Sequence, residues 1–95
     1  MSTAVAADLH AVRELLVTNG WKQGPRGLGD PACRCIIHAI DDLLPGPRGR
    51  DVYLAVLRAV PSDDDVSSWN DAPGRTFAEV LALLDKAIAA EEARP

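Results

Sequence analysis

The stretch TFAEVLALLDKAIAA, residues 76–90, decides the fold class of this chain. Its apolar residues recur at the three- and four-residue spacings of an α-helix. Thr76 and Glu79 form a capping-box pattern, in which each side chain accepts a hydrogen bond from the backbone amide of the other residue. The stretch therefore predicts a helix with an apolar stripe of Phe77, Val80, Leu81, Leu84 and Ile88, which Leu83 and Ala87 broaden.

The width of this apolar stripe leaves two alternatives open. A helix that is apolar around so much of its circumference lies either at the centre of a bundle or against a second subunit. The second alternative predicts a partner-binding surface of Val80, Leu83 and Ala87. Its partner would be another protein or a second copy of the chain in a homodimer.

Three further segments have helical periodicity, and none alternates between apolar and polar residues as a strand does. They cover about residues 3–18, 32–44 and 49–60. Asp30 followed by Pro31 is a favourable N-cap and first-turn pair for the second helix. We predict an all-α fold, a compact four-helix bundle with irregular loops at about residues 20–31 and 61–75.

The second of these loops contains an acidic linker, residues 62–71. Val66 and Trp69 are three residues apart, and Ser62 or Asp63 is a suitable cap. One short helical turn is expected in this linker.

We predict one domain, residues 1–95, in the cytoplasm. The chain is 47% hydrophobic and 4% aromatic, so its core consists of Ala, Val, Leu and Ile side chains. The net charge of −4 is unlike the basic surface of a nucleic-acid binder. The chain has neither the roughly 20 consecutive apolar residues that span a membrane nor the pattern of a signal peptide.

The stretch WNDAPGRT, residues 69–76, is the most unusual part of the chain. In one interpretation it only starts the last helix: Pro73-Gly74 forms the turn, and the Asn and Asp side chains bind loop amides. Arg75 then pairs with Asp71 or with the acidic cluster 63–65. In the alternative, the start of the helix binds an anion or small ligand, and the ligand-binding residues are Trp21, Gln23, Asn70, Asp71 and Arg75.

Other candidate sites have weaker patterns. Cys33, Cys35 and His38, with His10, lack the paired spacing of a zinc site. The glycine-rich segment 24–29 lacks the spacing of a phosphate-binding loop. The acidic cluster 63–65 lacks that of a calcium loop. We therefore predict no catalytic residues, no bound metal and no cofactor.

Three groups of residues together resemble a family of small helical domains of unknown function from actinobacteria, other bacteria and phages. They are GWKQG at residues 20–24, CIIHAI at residues 35–40 and WNDAPGRT at residues 69–76. The family pattern is W-x-Q-G, C-x-x-G-A-[IL] and W-N-D-x-P-G-R-T before a final helix, and His38 stands where many members have Gly. The resemblance covers about residues 15–88 and implies a fold without an activity.

Two classes of function follow from these observations. The first is a small non-catalytic protein-interaction module, of phage or mobile-element origin. The alternative is a small-ligand or anion-binding domain that uses the WNDAPGRT loop.

Overall fold

A computed structural model describes residues 3–23 and 35–94 of the chain. Within these residues the chain forms helices and no strand, which confirms the predicted all-α fold. The helices are α1 (Thr3–Asn19), α2 (Ile36–Leu43), α3 (Pro47–Ala59), α4 (Val66–Asn70) and α5 (Phe77–Ala93). The short turn expected in the acidic linker is α4, and the other four helices form the bundle.

Helix α5 packs chiefly against two other helices of the bundle. It packs most extensively against α1, and next against α3. Helix α2 lies against α1 and α3, and α4 closes one end by packing on α2 and α3. The side chains that are entirely buried come from all five helices: Leu9, Val12, Leu16, Ile36, Ala39, Val52, Val56, Val66, Val80 and Leu84.

The apolar face of α5 is covered within the single chain. Val80, Leu83 and Ala87 are 0%, 4% and 1% exposed and belong to the hydrophobic core. Because both α1 and α3 pack against α5, the wide stripe is explained by contacts within the chain. The three residues that the sequence assigns to partner binding therefore form no open surface in this structure.

Helix α2 begins later than the sequence predicts. Cys35 has an extended backbone (φ −77°, ψ 172°), and its sulfur accepts a hydrogen bond from the amide of His38. Cys35 is therefore the N-cap, and the predicted start near residue 32 is wrong. The cap expected at Asp30 and Pro31 lies outside the described residues.

The turn between α2 and α3 is tight. Helix α3 begins at Pro47, two residues earlier than predicted, because proline is suited to the first helical position. Gly46 precedes it with φ of +85°, a conformation that favours glycine. A Cβ atom at Gly49 would collide with the backbone carbonyl oxygen of Leu44, so glycine lets the two helices approach closely.

Helix α4 is capped by Asp65 and not by Ser62 or Asp63. The Asp65 carboxylate accepts a hydrogen bond of 2.7 Å from the amide of Ser68. This hydrogen bond is the main reason that the pKa of Asp65 lies below its ordinary value.

None of the helices in the described part of the chain combines the length and the apolar character that a membrane span requires.

Candidate functional site

The WNDAPGRT stretch starts α5 with the predicted capping box. The Thr76 hydroxyl accepts a hydrogen bond of 3.2 Å from the Glu79 amide. The Glu79 carboxylate accepts one of 2.9 Å from the Thr76 amide. The bond from the Thr76 amide is the main cause that lowers the pKa of Glu79. The predicted capping box is confirmed.

Arg75 stacks on the ring of Trp69. Its guanidinium carbon lies 3.9 Å from the ring centroid, and its Nε donates a 2.8 Å hydrogen bond to the Trp69 carbonyl. The carboxylate that it contacts is Glu79, at 3.3 Å. The prediction that Arg75 pairs with Asp71 or with the acidic cluster 63–65 is wrong, because stacking on Trp69 directs the guanidinium towards the first turn of α5.

Asn70 joins three separate parts of the chain. It is the last residue of α4 and is 1% exposed. Its side-chain oxygen accepts hydrogen bonds from the indole nitrogen of Trp21, at 2.7 Å, and from the amide of Ile36, at 3.3 Å. Its nitrogen donates to the carboxylate of Asp71, at 2.9 Å. The same side chain therefore anchors the first loop and supplies an acceptor at the start of α2.

The residues of the first loop complete this arrangement. The Gln23 side-chain nitrogen donates to the backbone carbonyls of Asn70 and Ala72, at 3.0 and 2.8 Å. The ring of Trp21 stacks on that of Phe77, with centroids 6.1 Å apart and planes inclined by 6°. The two tryptophan-containing loops, which the sequence places in separate segments, thus meet at one site. We call it the Asn70 junction, made of Trp21, Gln23, Ile36, Asn70 and Phe77.

The contacts of the Asn70 junction are directed into the protein. The five residues predicted to bind a ligand are brought together, but the polar groups of Trp21 and Asn70 already bond to other parts of the chain. Arg75 is held by Trp69 and Glu79, and the capping box uses the amides of Thr76 and Glu79. This geometry favours a structural role, in which the junction holds Trp21, Gln23 and the second loop against the bundle.

The candidate metal ligands do not converge in the described structure. Cys35 is buried, and its sulfur is the acceptor at the start of α2. His10 lies on α1, 3.8 Å from Glu92 of α5. Cys33 and the glycine-rich segment 24–29 lie outside the described residues. Across residues 3–23 and 35–94, no group of three or more His, Cys, Asp or Glu side chains is placed to hold a metal ion.

A surface hollow of about 360 Å³ lies between α2 and α3. We call it the α2–α3 hollow. Its apolar part includes two half-buried residues, Ile37 and Tyr53, while Asp41 and Arg50 are exposed. The remaining lining residues are Ile40, Leu44, Gly46 and Gly49. No sequence pattern indicates this hollow, because it depends on the close approach of two helices across a three-residue turn.

These features define a small all-helical domain in which the Asn70 junction joins the first loop, α2 and α4. The chain belongs to DUF6197, a family of unknown function, whose match covers residues 1–90. The resemblance to an uncharacterised family of domains is thereby confirmed. Comparison with curated proteins and with solved structures gave no match.

Proposed function

We propose that this domain is a small non-catalytic protein-interaction module that binds its partner through the α2–α3 hollow. The observation that supports the proposal is the chemistry of this surface. Ile37 and Tyr53 offer apolar area, and Asp41 and Arg50 add one charge of each sign. Protein interfaces commonly combine a buried aromatic and apolar centre with a polar rim.

The two charged residues of the hollow differ from most other charged residues of the bundle. Arg48 is held by both carboxylate oxygens of Asp8, at 3.2 and 2.6 Å, and Arg13 by Asp85. Within the described chain, Asp41 and Arg50 make no side-chain hydrogen bond or ion pair. A partner therefore gains contacts with both charges without breaking an internal ion pair.

The same proposal includes the setting of the domain. The proposed setting is the cytoplasm, and the proposed origin is actinobacterial, phage or mobile-element. The use of eight arginines against two lysines supports a GC-rich source of this kind. The net charge of −4 supports a protein partner rather than a nucleic acid or an anionic membrane.

The experiment that tests the proposal is site-specific photo-cross-linking in cells of the organism that produces this protein. A photoreactive phenylalanine analogue replaces Tyr53, and the same analogue at the exposed position of Glu14 on α1 is the control. We expect a defined protein cross-linked from position 53 and not from position 14. Once identified and purified, that protein is expected to bind Asp41→Arg at least about tenfold more weakly than wild type, since one like-charge contact costs about 1.4 kcal/mol or more.

Two results contradict this function. One is the absence of any cross-linked protein, including the chain itself, from position 53. The other is a small-molecule adduct in the native mass spectrum of protein purified without a metal-affinity tag, when that adduct is lost in Arg75→Ala. The second result would assign the alternative function, a ligand-binding domain built on Trp21, Gln23, Asn70, Asp71 and Arg75.

A further inference from the structure

We infer that the partner of the α2–α3 hollow is a second copy of this chain, related to the first by a two-fold axis. The inference rests on the proposed function and specifies its partner. It depends on the charges that line the hollow and on the helices that carry them.

The hollow carries one charge of each sign on its two helices. Asp41 lies on α2 and Arg50 on α3, and both are exposed. In an interface with two-fold symmetry, the same surface is used by both copies, so that residue i contacts residue j and j contacts i. With the axis positioned so that Asp41 faces Arg50 of the second copy, the symmetry repeats that contact on the other side.

This reciprocal pairing favours a second copy over an unrelated protein. The chain itself supplies both members of each ion pair, whereas an unrelated partner must present the same two charges independently. Both charges are also without an ion pair in the described part of the chain, so dimerisation breaks none. The half-buried side chains of Ile37 and Tyr53 line the same hollow, and dimerisation removes their exposed apolar surface from water.

The size of the surface indicates a weak dimer. Stable interfaces bury at least about 1,200 Å² in total. The hollow occupies only a small part of the accessible surface of the chain, which is 5197 Å². We therefore expect exchange between monomer and dimer, with the balance sensitive to a single charge.

The test is sedimentation equilibrium of the purified full chain from about 10 µM to 1 mM, a range that includes weak interfaces. The wild-type mass is expected to rise with concentration from 10.1 kDa towards twice that value. Asp41→Arg and Arg50→Asp each replace two attractive contacts by two repulsive ones. Each variant alone is expected to dimerise at least about tenfold more weakly than wild type.

An equimolar mixture of the two variants gives the decisive measurement. In the mixed dimer, the arginine introduced at position 41 of one variant faces the aspartate introduced at position 50 of the other. The second contact joins the native Arg50 of the first variant to the native Asp41 of the second, so both contacts are attractive again. We expect association to recover to within about threefold of wild type.

Two control variants make the same charge changes outside the hollow. Glu14→Arg and Lys86→Asp are expected to leave the dimer unchanged, because neither residue lines the hollow. Circular dichroism verifies that each variant is folded.

The inference is overturned by a wild-type chain that stays monomeric, or by a mixture that associates no better than either variant alone. It is also overturned if the control variants weaken the dimer as much as the hollow variants do. A monomeric wild type that still yields a defined Asp41-dependent partner by cross-linking at position 53 removes the dimer and leaves the proposed function standing. Failure of both experiments removes both.

Discussion

Replacing Asn70 by alanine tests whether the buried amide holds the two loops to the bundle. The substitution removes the acceptor of the Trp21 indole and of the Ile36 amide. An unsatisfied buried donor costs about 1–3 kcal/mol. The Ile36 amide belongs to a fully buried residue, whereas Trp21 is only half-buried, so its donor regains some hydration. Together these effects predict a loss of about 2–4 kcal/mol in the free energy of unfolding.

That loss is large for a chain of this length, whose total free energy of unfolding is roughly 5–14 kcal/mol. The assay is equilibrium urea unfolding followed by tryptophan fluorescence and by circular dichroism. Ser67→Ala, at an exposed position of the same short helix, is the control and is expected to change stability by less than about 0.5 kcal/mol.

A double-mutant cycle isolates the hydrogen bond between Trp21 and Asn70. Trp21→Phe removes the indole donor while an aromatic ring remains to stack on Phe77. We expect the two substitutions to be non-additive by about 0.5–1.5 kcal/mol, since both break the same bond. A loss below about 1 kcal/mol in Asn70→Ala, or strict additivity of the pair, would refute the structural role assigned to the junction.

Three further predictions concern helix starts and close packing. Thr76→Ala removes one half of the capping box and is expected to cost about 1 kcal/mol in urea unfolding; an unchanged midpoint would contradict it. The pKa values of Asp65 and Glu79 are lower in the folded chain than their ordinary values of 3.8 and 4.5. On acidification the unfolded chain therefore binds more protons than the folded chain. The stability that these two carboxylates contribute is present above their ordinary pKa values and is lost as the pH falls through the folded pKa values. Urea unfolding between neutral pH and pH 3 measures this loss, which is expected to be smaller in Thr76→Ala, and a constant stability over that range would exclude it. Gly49→Ala places a methyl group against the carbonyl of Leu44 and is expected to cost about 1–3 kcal/mol in the same assay, whereas a neutral effect would show that α2 and α3 can separate freely.

The local features of the chain were predictable because they depend on neighbouring residues. The capping box of α5 needs only Thr76 and Glu79. The start of α3 was placed two residues too late, although a glycine followed by Pro47 is also a local pattern. The start of α2 was misjudged, since cysteine is an uncommon N-cap and Asp30-Pro31 is a stronger local pattern. The partner of Arg75 was misjudged for a similar reason, because the sequence cannot show that a guanidinium stacks on a ring six residues earlier.

The candidate sites depended on contacts between distant residues. The residues of the two loops were selected from the sequence. The hydrogen bonds of Asn70, however, join it to Trp21, which lies 49 positions earlier in the chain, and to Ile36, which lies 34 positions earlier. Only the folded chain shows that these polar groups bond to one another. Likewise, the pattern of α5 allowed a central helix or a subunit interface, and only the packing of α1 and α3 shows that its apolar stripe is buried within the chain.

By itself the sequence determined that the chain is helical, where most of its helices lie and how the last helix is capped. These properties follow from the periodicity of apolar residues and from side chains that bond to their own backbone neighbourhood. The tertiary structure alone decided which apolar face is buried, which polar groups are already used and where the α2–α3 hollow opens. Those properties depend on the relative positions of whole helices, which are set by the sum of many weak packing contacts.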